Sequence, residues 1–257
     1  MLIEFSGPSA SGKSCFVKYL LRKNPRTKSV RRSANPYPSL RPSGAMSLML
    51  TKNAHRFPMA FASAYRWTTA QENAKVEAAF KATRFGAEYC LFKGLSSDRR
   101  IWLLDQGRLQ LGTWTTRSVQ ENPINYLSVF SRFVIIGNGI VILSFPPEVT
   151  LRRVIHRGDI RRAEAIARRR GFPSFFCLCD FQFKLTTSKI RFAQAAGSQV
   201  LQICFGGKGE IVSSELLDAF TKNADEAKPC LSVNGVLKEI EYEFRNWWRE
   251  NPDMGAI

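Results

Sequence analysis

The sequence predicts an α/β protein with a parallel sheet and helices on both of its faces. Three observations carry this prediction. A short apolar segment, residues 1–5, runs into Gly7-Pro8-Ser9-Ala10-Ser11-Gly12-Lys13-Ser14, a complete G-x-x-x-x-G-K-[ST] loop, and then into a helical pattern over residues 14–22. Two further runs, 101–104 (Ile-Trp-Leu-Leu) and 140–143 (Ile-Val-Ile-Leu), are apolar at every position, as strands buried on both faces are. Segments of helical periodicity separate these runs, and strands alternating with helices pair in parallel.

Each element follows from local pattern. Phe16, Val17, Leu20 and Leu21 share a helical face after the loop. Pro25, Pro36, Pro38 and Pro42 mark a loop-rich stretch with at most a short strand near 29–33. Short helices are expected over 45–50 and 54–64, and a long one over 69–89. Residues 123–134 suit a helix, and 148–156 form another, with Pro147 near its start. Segments 174–196 and 211–220 read as helices around a strand at 199–205. Val233, Val236, Leu237, Ile240, Phe244, Trp247 and Trp248 recur at helical spacing, predicting an amphipathic helix docked on the core.

With 257 residues, 44% of them apolar, one domain is expected. No segment approaches the roughly 18 uninterrupted apolar residues of a membrane span. No basic-then-apolar leader opens the chain, so a cytoplasmic protein is the simplest expectation. The six cysteines form no Cys-x-x-Cys pair and there are two histidines, which argues against a zinc cluster. Charge is uneven. Residues 1–204 hold 32 Lys and Arg against 11 Asp and Glu, a net +21, whereas 205–257 carry a net −4. Such an excess calls for an anionic partner.

The loop chemistry is specific. Glycines let the backbone curl so that successive N–H groups face one anion, and the helix that follows adds the positive end of its dipole. Gly7, Ser9, Ala10, Ser11, Gly12, Lys13, Ser14 and Cys15 are thus expected to bind a nucleoside triphosphate, ATP, with Lys13 on the β- and γ-phosphates and the Ser14 hydroxyl on Mg²⁺. Asp105, at the end of an apolar strand, is expected beside the loop as a second metal ligand or as acceptor of a proton. Residues 152–170 hold eight arginines and two acids, with Arg153 and Arg157 four apart on one helical face. Arginine forks neutralise charge developing on a moving phosphoryl group, so Arg153 and Arg157 are candidate catalytic residues on a lid over about 152–172.

These motifs resemble the P-loop kinases of the nucleoside and nucleotide kinase superfamily, most nearly thymidylate-kinase-like proteins. The resemblance rests on the loop, the strand ending at Asp105, and Pro146-Pro147-Glu148-Val149 leading to the arginine segment. It implies a three-layer P-loop NTPase fold with a five-stranded parallel sheet, ATP and Mg²⁺ as cofactors, and transfer of the γ-phosphate to a hydroxyl or phosphate. One domain would span 1–257, with an acceptor-side helical region at about 34–97 and a C-terminal extension at about 231–250. The sequence departs from that family after the strand-end acid. Asp105-Gln106-Gly107-Arg108 lacks the arginine that usually follows directly, so thymidine monophosphate is not the expected acceptor.

Candidate acceptor contacts are Arg41, Arg56, Arg66, Arg108, Arg161 and Arg162. The acceptor expected first is an anionic small molecule, nucleotide-like or another metabolite. The basic excess supports an alternative, an RNA or other polyanion acceptor. A second alternative is an ATP-driven switch protein, and a homodimer is compatible with either.

Overall fold

A computed structural model describes residues 1–24, 27–30, 52–71, 75–96, 100–105, 137–169, 171–217 and 232–251. The expected helices at 45–50 and 123–134, and the candidates Arg41 and Arg108, lie outside the described residues.

The chain is α/β. In order it forms β1 (Leu2–Ser6), α1 (Lys13–Lys23), β2 (Thr27–Val30), a short 3₁₀ turn (Ala54–Arg56), α2 (Phe57–Gln71), α3 (Lys75–Ser96), β3 (Ile101–Asp105) and β4 (Gly139–Ser144). Then come α4 (Pro147–His156), α5 (Ile160–Arg169), α6 (Phe175–Lys184), α7 (Thr186–Ala195), β5 (Gln199–Phe205), β6 (Ile211–Leu217) and α8 (Val233–Glu250). The strands form one sheet in the order β2-β3-β1-β4-β5-β6. The first five are parallel, in register Phe5↔Asp105 between β1 and β3 and Phe5↔Val141 between β1 and β4.

The sixth strand corrects the sequence reading, which expected five parallel strands and a helix at 211–220. Residues 211–217 instead pair antiparallel with β5. The cause is the tight turn at 206–210, where the Gly206 N–H donates to the Glu210 carbonyl at 2.8 Å and folds the chain into a hairpin. The single helix expected over 174–196 is two helices meeting at buried Leu185, just before the β-branched pair Thr186 and Thr187.

Alternation along each strand sorts the core into two layers. Ile3, Phe5, Ile101, Leu103, Val141, Leu143, Leu201 and Ile203 face α1 and α8. There Phe16 of α1 meets Phe244 edge-on at 4.8 Å, and Trp247 and Trp248 close the cluster. The predicted amphipathic helix is therefore α8, and its apolar stripe is core. On the opposite face, Leu2, Trp102 and Leu104 pack on Leu91, Phe92 and Leu95 of α3. Ile140, Ile142 and Val200 pack there on Ile190 and Ala193 of α7. α4, α5 and α6 share a smaller cluster around Val154, Ala163, Ala167 and Leu178. Among the described residues, no helix is long and apolar enough to cross a membrane.

Candidate phosphate-binding site

Ligands of parallel sheets bind beyond the carboxyl ends of the strands. Here those ends bring together residues 7–15, Asp105 and the segment after β4. β1, buried throughout, ends at Ser6, and the chain then turns at Gly7 against Leu143 of β4. The turn is tight: a Cβ at Gly7 would lie 2.9 Å from the Leu143 carbonyl oxygen, so a side chain there meets backbone. Ala10 (φ 60) and Gly12 (φ 83) take the left-handed conformation and wind the backbone into a concave loop before α1 begins at Lys13. Such winding turns successive N–H groups inward.

Lys13 is buried and folded beneath this loop. Its Nζ donates to the carbonyls of Gly7 (2.9 Å) and Pro8 (2.6 Å) and to Ser11 Oγ (2.8 Å). Burial pushes its pKa down to about 8. Asp105 opposes that shift, and the positive charges of Lys189 and Arg153 add to it. Ser14 Oγ donates to Asp105 Oδ2, and the other oxygen, Oδ1, is buried without a hydrogen-bond partner among the described residues. A hydroxyl beside a carboxylate with a spare oxygen is a donor set that fits Mg²⁺, which draws its remaining ligands from water and phosphate oxygens. No cluster of three or more His, Cys, Asp or Glu side chains occurs among the described residues. Cys15 and Ser9 are exposed on the outer side of the loop.

The arginines divide sharply. Arg153 is buried, its guanidinium 4.9 Å from the rings of both Phe145 and Trp248. Desolvation lowers its pKa to about 10, helped by Arg157, and its Nη1 has no partner among the described residues. Arg157 is exposed and pairs with Asp159 at 3.1 Å. Arg152 donates to the Gly207 carbonyl, which ties α4 to the β5–β6 turn. Arg161 and Arg162 are exposed on α5. Arg56 donates through Nε to His55 Nε2 at 3.2 Å, and Arg66 is exposed on α2. The structure therefore gathers residues 7–15 with Asp105, and holds Arg153 close enough for its charge to reach Lys13.

One residue escaped the sequence reading. Lys189, on α7, is buried and lines a recess with Ser6, Gly7, Ser144, Gln182 and Thr186. Desolvation lowers its pKa to about 8, and Glu4 on β1 opposes the shift. In sequence, Thr-Thr-Ser-Lys-Ile-Arg reads as an ordinary solvated helix, with no signal that its lysine turns inward.

No family model matches the chain, and no curated protein matches it. A solved chain from work on the PezAT chromosomal toxin-antitoxin system of the human pathogen Streptococcus pneumoniae aligns with 99% of this chain and 87% of its own length. The identity is 11% and the TM-score 0.32, a likeness too slight to carry an argument about either fold or activity.

Proposed function

We propose that the chain is an ATP-dependent phosphotransferase, a P-loop kinase of the nucleoside and nucleotide kinase type. It would move the γ-phosphate of ATP-Mg²⁺ to an anionic, nucleotide-like or other small-molecule acceptor. The observation that carries the reading is the convergence of the wound loop, the buried Lys13 and the Ser14–Asp105 pair at one crevice. Loop N–H groups and Lys13 hold phosphate oxygens, while Ser14 and Asp105 hold Mg²⁺, which neutralises charge on the transferring group. Lys13 can leave its three loop partners for phosphate oxygens, and a nearby phosphate raises its depressed pKa so that the ammonium stays charged.

Arg153, whose charge acts on Lys13, would add a fixed positive charge, and Arg157 lies one turn further on, at the C-terminal cap of α4. The α4–α5 segment, whose apolar cluster packs against Ala10 of the loop, is the candidate lid. A second reading, a polynucleotide acceptor, is favoured by the exposure of Arg157, Arg161, Arg162 and Arg168 on this same segment.

The test is transfer from [γ-³²P]ATP, with ATP affinity measured separately by calorimetry. Wild-type protein binds ATP-Mg²⁺ and releases or transfers label. Lys13→Ala retains its circular dichroism and loses turnover by about 100-fold or more, the scale seen when one transition-state donor is removed. Equal turnover by a folded Lys13→Ala variant would overturn the reading. Affinity for a 5′-hydroxyl oligoribonucleotide that falls steeply with salt supports the polynucleotide version, and no binding at low salt removes it.

A further inference from the structure

The recess beside the loop has its own chemistry. It lies at the carboxyl ends of β1 and β4, under Gly7 and Pro8, on the sheet face covered by α7. Its free volume is about 20 Å³, room for one water-sized group. A phosphate, with four oxygens around phosphorus, does not enter a space that a single water fills. The walls are mixed: Ser6, Ser144, Gln182, Thr186 and Lys189 are set among apolar side chains that include Leu143 and Phe145. Ser6 Oγ is 1% exposed and has no hydrogen-bond partner among the described residues.

Of the residues lining the recess, two titrate, Cys179 and Lys189. Burial pushes the Cys179 thiol up to about 12, so it stays protonated and inert near neutrality. The other charged groups acting on this corner are Glu4 of β1, Lys13 of α1 and, through Lys13, Asp105 of β3 and Arg153 of α4.

We infer that this recess receives the hydroxyl of the phosphate acceptor, with Ser6 holding that hydroxyl and the Lys189 amine taking its proton. The inference rests on the phosphotransfer reading above and narrows it: the acceptor is an alcohol, and the product a phosphate monoester. In the step, the acceptor oxygen bonds to the γ-phosphorus and the bond from that phosphorus to the β,γ-bridging oxygen breaks. ADP leaves with the electron pair, and the acceptor proton passes to Lys189 Nζ. Gly7 and Pro8 line the recess, and their carbonyls accept from Lys13 Nζ, so the recess adjoins the lysine that would hold the γ-phosphate. Burial keeps a fraction of the amine neutral near pH 7, as a base requires.

The experiment offers full-length protein [γ-³²P]ATP-Mg²⁺ with two acceptor sets. One contains nucleosides, free sugars and a 5′-hydroxyl oligoribonucleotide; the other contains nucleoside monophosphates. Label in a monoester, or released as phosphate when water fills the recess, is the expected result, with a rate that rises towards pH 8. Lys189→Met lowers that rate at least 10-fold and removes the pH dependence, while ATP affinity stays within 2-fold, and Lys189→Arg does not rescue it. Independently of turnover, ¹³Cε NMR of labelled lysine, assigned with Lys189→Met, shows one resonance titrating near pH 8 and shifting on addition of the labelled acceptor. Label in a diphosphate made from a nucleoside monophosphate overturns the inference, as does a Lys189→Met rate and pH profile equal to wild type. ATP bound but never turned over removes the phosphotransfer reading and the inference with it. ATP not bound at all removes the donor site itself.

Discussion

Ser14 and Asp105 stand 91 residues apart in sequence and share a hydrogen bond, from the Ser14 hydroxyl to Asp105 Oδ2. Parallel pairing brings them together. The Phe5↔Asp105 register sets the acid level with the end of β1, and the loop returns Ser14, the second residue of α1, to that level. The two oxygens thus meet only where strand register and loop length agree. Asp105→Asn keeps the size of the side chain but removes its charge. ATP-Mg²⁺ turnover in this variant is expected to need about 10- to 100-fold more Mg²⁺, as a magnesium titration of phosphate release measures. An unchanged magnesium midpoint would remove Asp105 from the metal site.

Gly7→Ala tests the contact between loop and β4. The new methyl would press on the Leu143 carbonyl, which the sheet holds in place. Overpacking of this kind costs about 1–3 kcal/mol. A lower denaturation midpoint, with ATP affinity reduced alongside it, is the expected result of urea titration and calorimetry.

Arg153 combines a buried charge with two aromatic partners. Arg153→Lys keeps the charge but not the flat guanidinium that lies against Phe145 and Trp248, so it does not restore wild-type behaviour. Arg153→Met keeps most of the volume and removes the cost of burying an unpaired charge, so its stability equals or exceeds wild type. If Arg153 supplies positive charge to the transferring phosphate, the same variant loses turnover by about 10-fold or more. Thermal unfolding read beside turnover separates these two roles.

The depressed lysines make stability depend on pH with a definite sign. Lys13 and Lys189 each drop from 10.5 to about 8. Below pH 8 both are protonated in either state, and the full cost of burying the charges is present. From pH 8 upward the folded protein releases these protons while the unfolded chain keeps them, so stability rises. The Cys179 thiol, raised from 9.0 to about 12, acts oppositely. The unfolded chain loses that proton above pH 9 and the folded one retains it, which lowers stability. Urea midpoints should therefore climb between pH 8 and 9 and climb more gently above, where one thiol opposes two lysines. Lys189→Met should raise the midpoint below pH 8 and reduce the climb.

Phe244→Ala tests the docking of α8. The ring is fully buried and touches Phe16, Phe205, Trp247 and Trp248. Truncation is expected to cost about 3–5 kcal/mol. Because Phe16 lies two residues beyond Ser14, ATP affinity should fall with it.

The elements that build the loop corner of the candidate site were legible because their signals are local. The loop, the two fully apolar runs and the α8 periodicity each depend on neighbours in sequence. β6 was misread because an edge strand with one covered face carries a diluted pattern: Ile211, Leu216 and Leu217 leave three polar residues between them. The available cue was the glycine-rich turn at 206–209, a hairpin signal before a short apolar pair. Arg153 was expected as a catalytic arginine on a lid, but its burial depends on Trp248, 95 positions away, which local pattern cannot supply. Lys189 was invisible for the same reason, since α7 becomes an inner wall only once β1 and β4 lie beside each other.

The packing of α8 against α1 has a consequence for biosynthesis. The helix that begins with Lys13 and Ser14 rests on Trp247 through Phe16 and Tyr19, and Lys23 pairs with Glu243 at 2.6 Å. A segment around residues 13–23 is thus finished by one that is made more than 200 residues later. A nascent polypeptide carrying the complete loop would still lack its supporting wall until residue 248 has emerged. The helix after the loop therefore gains its aromatic support only once translation has passed residue 248.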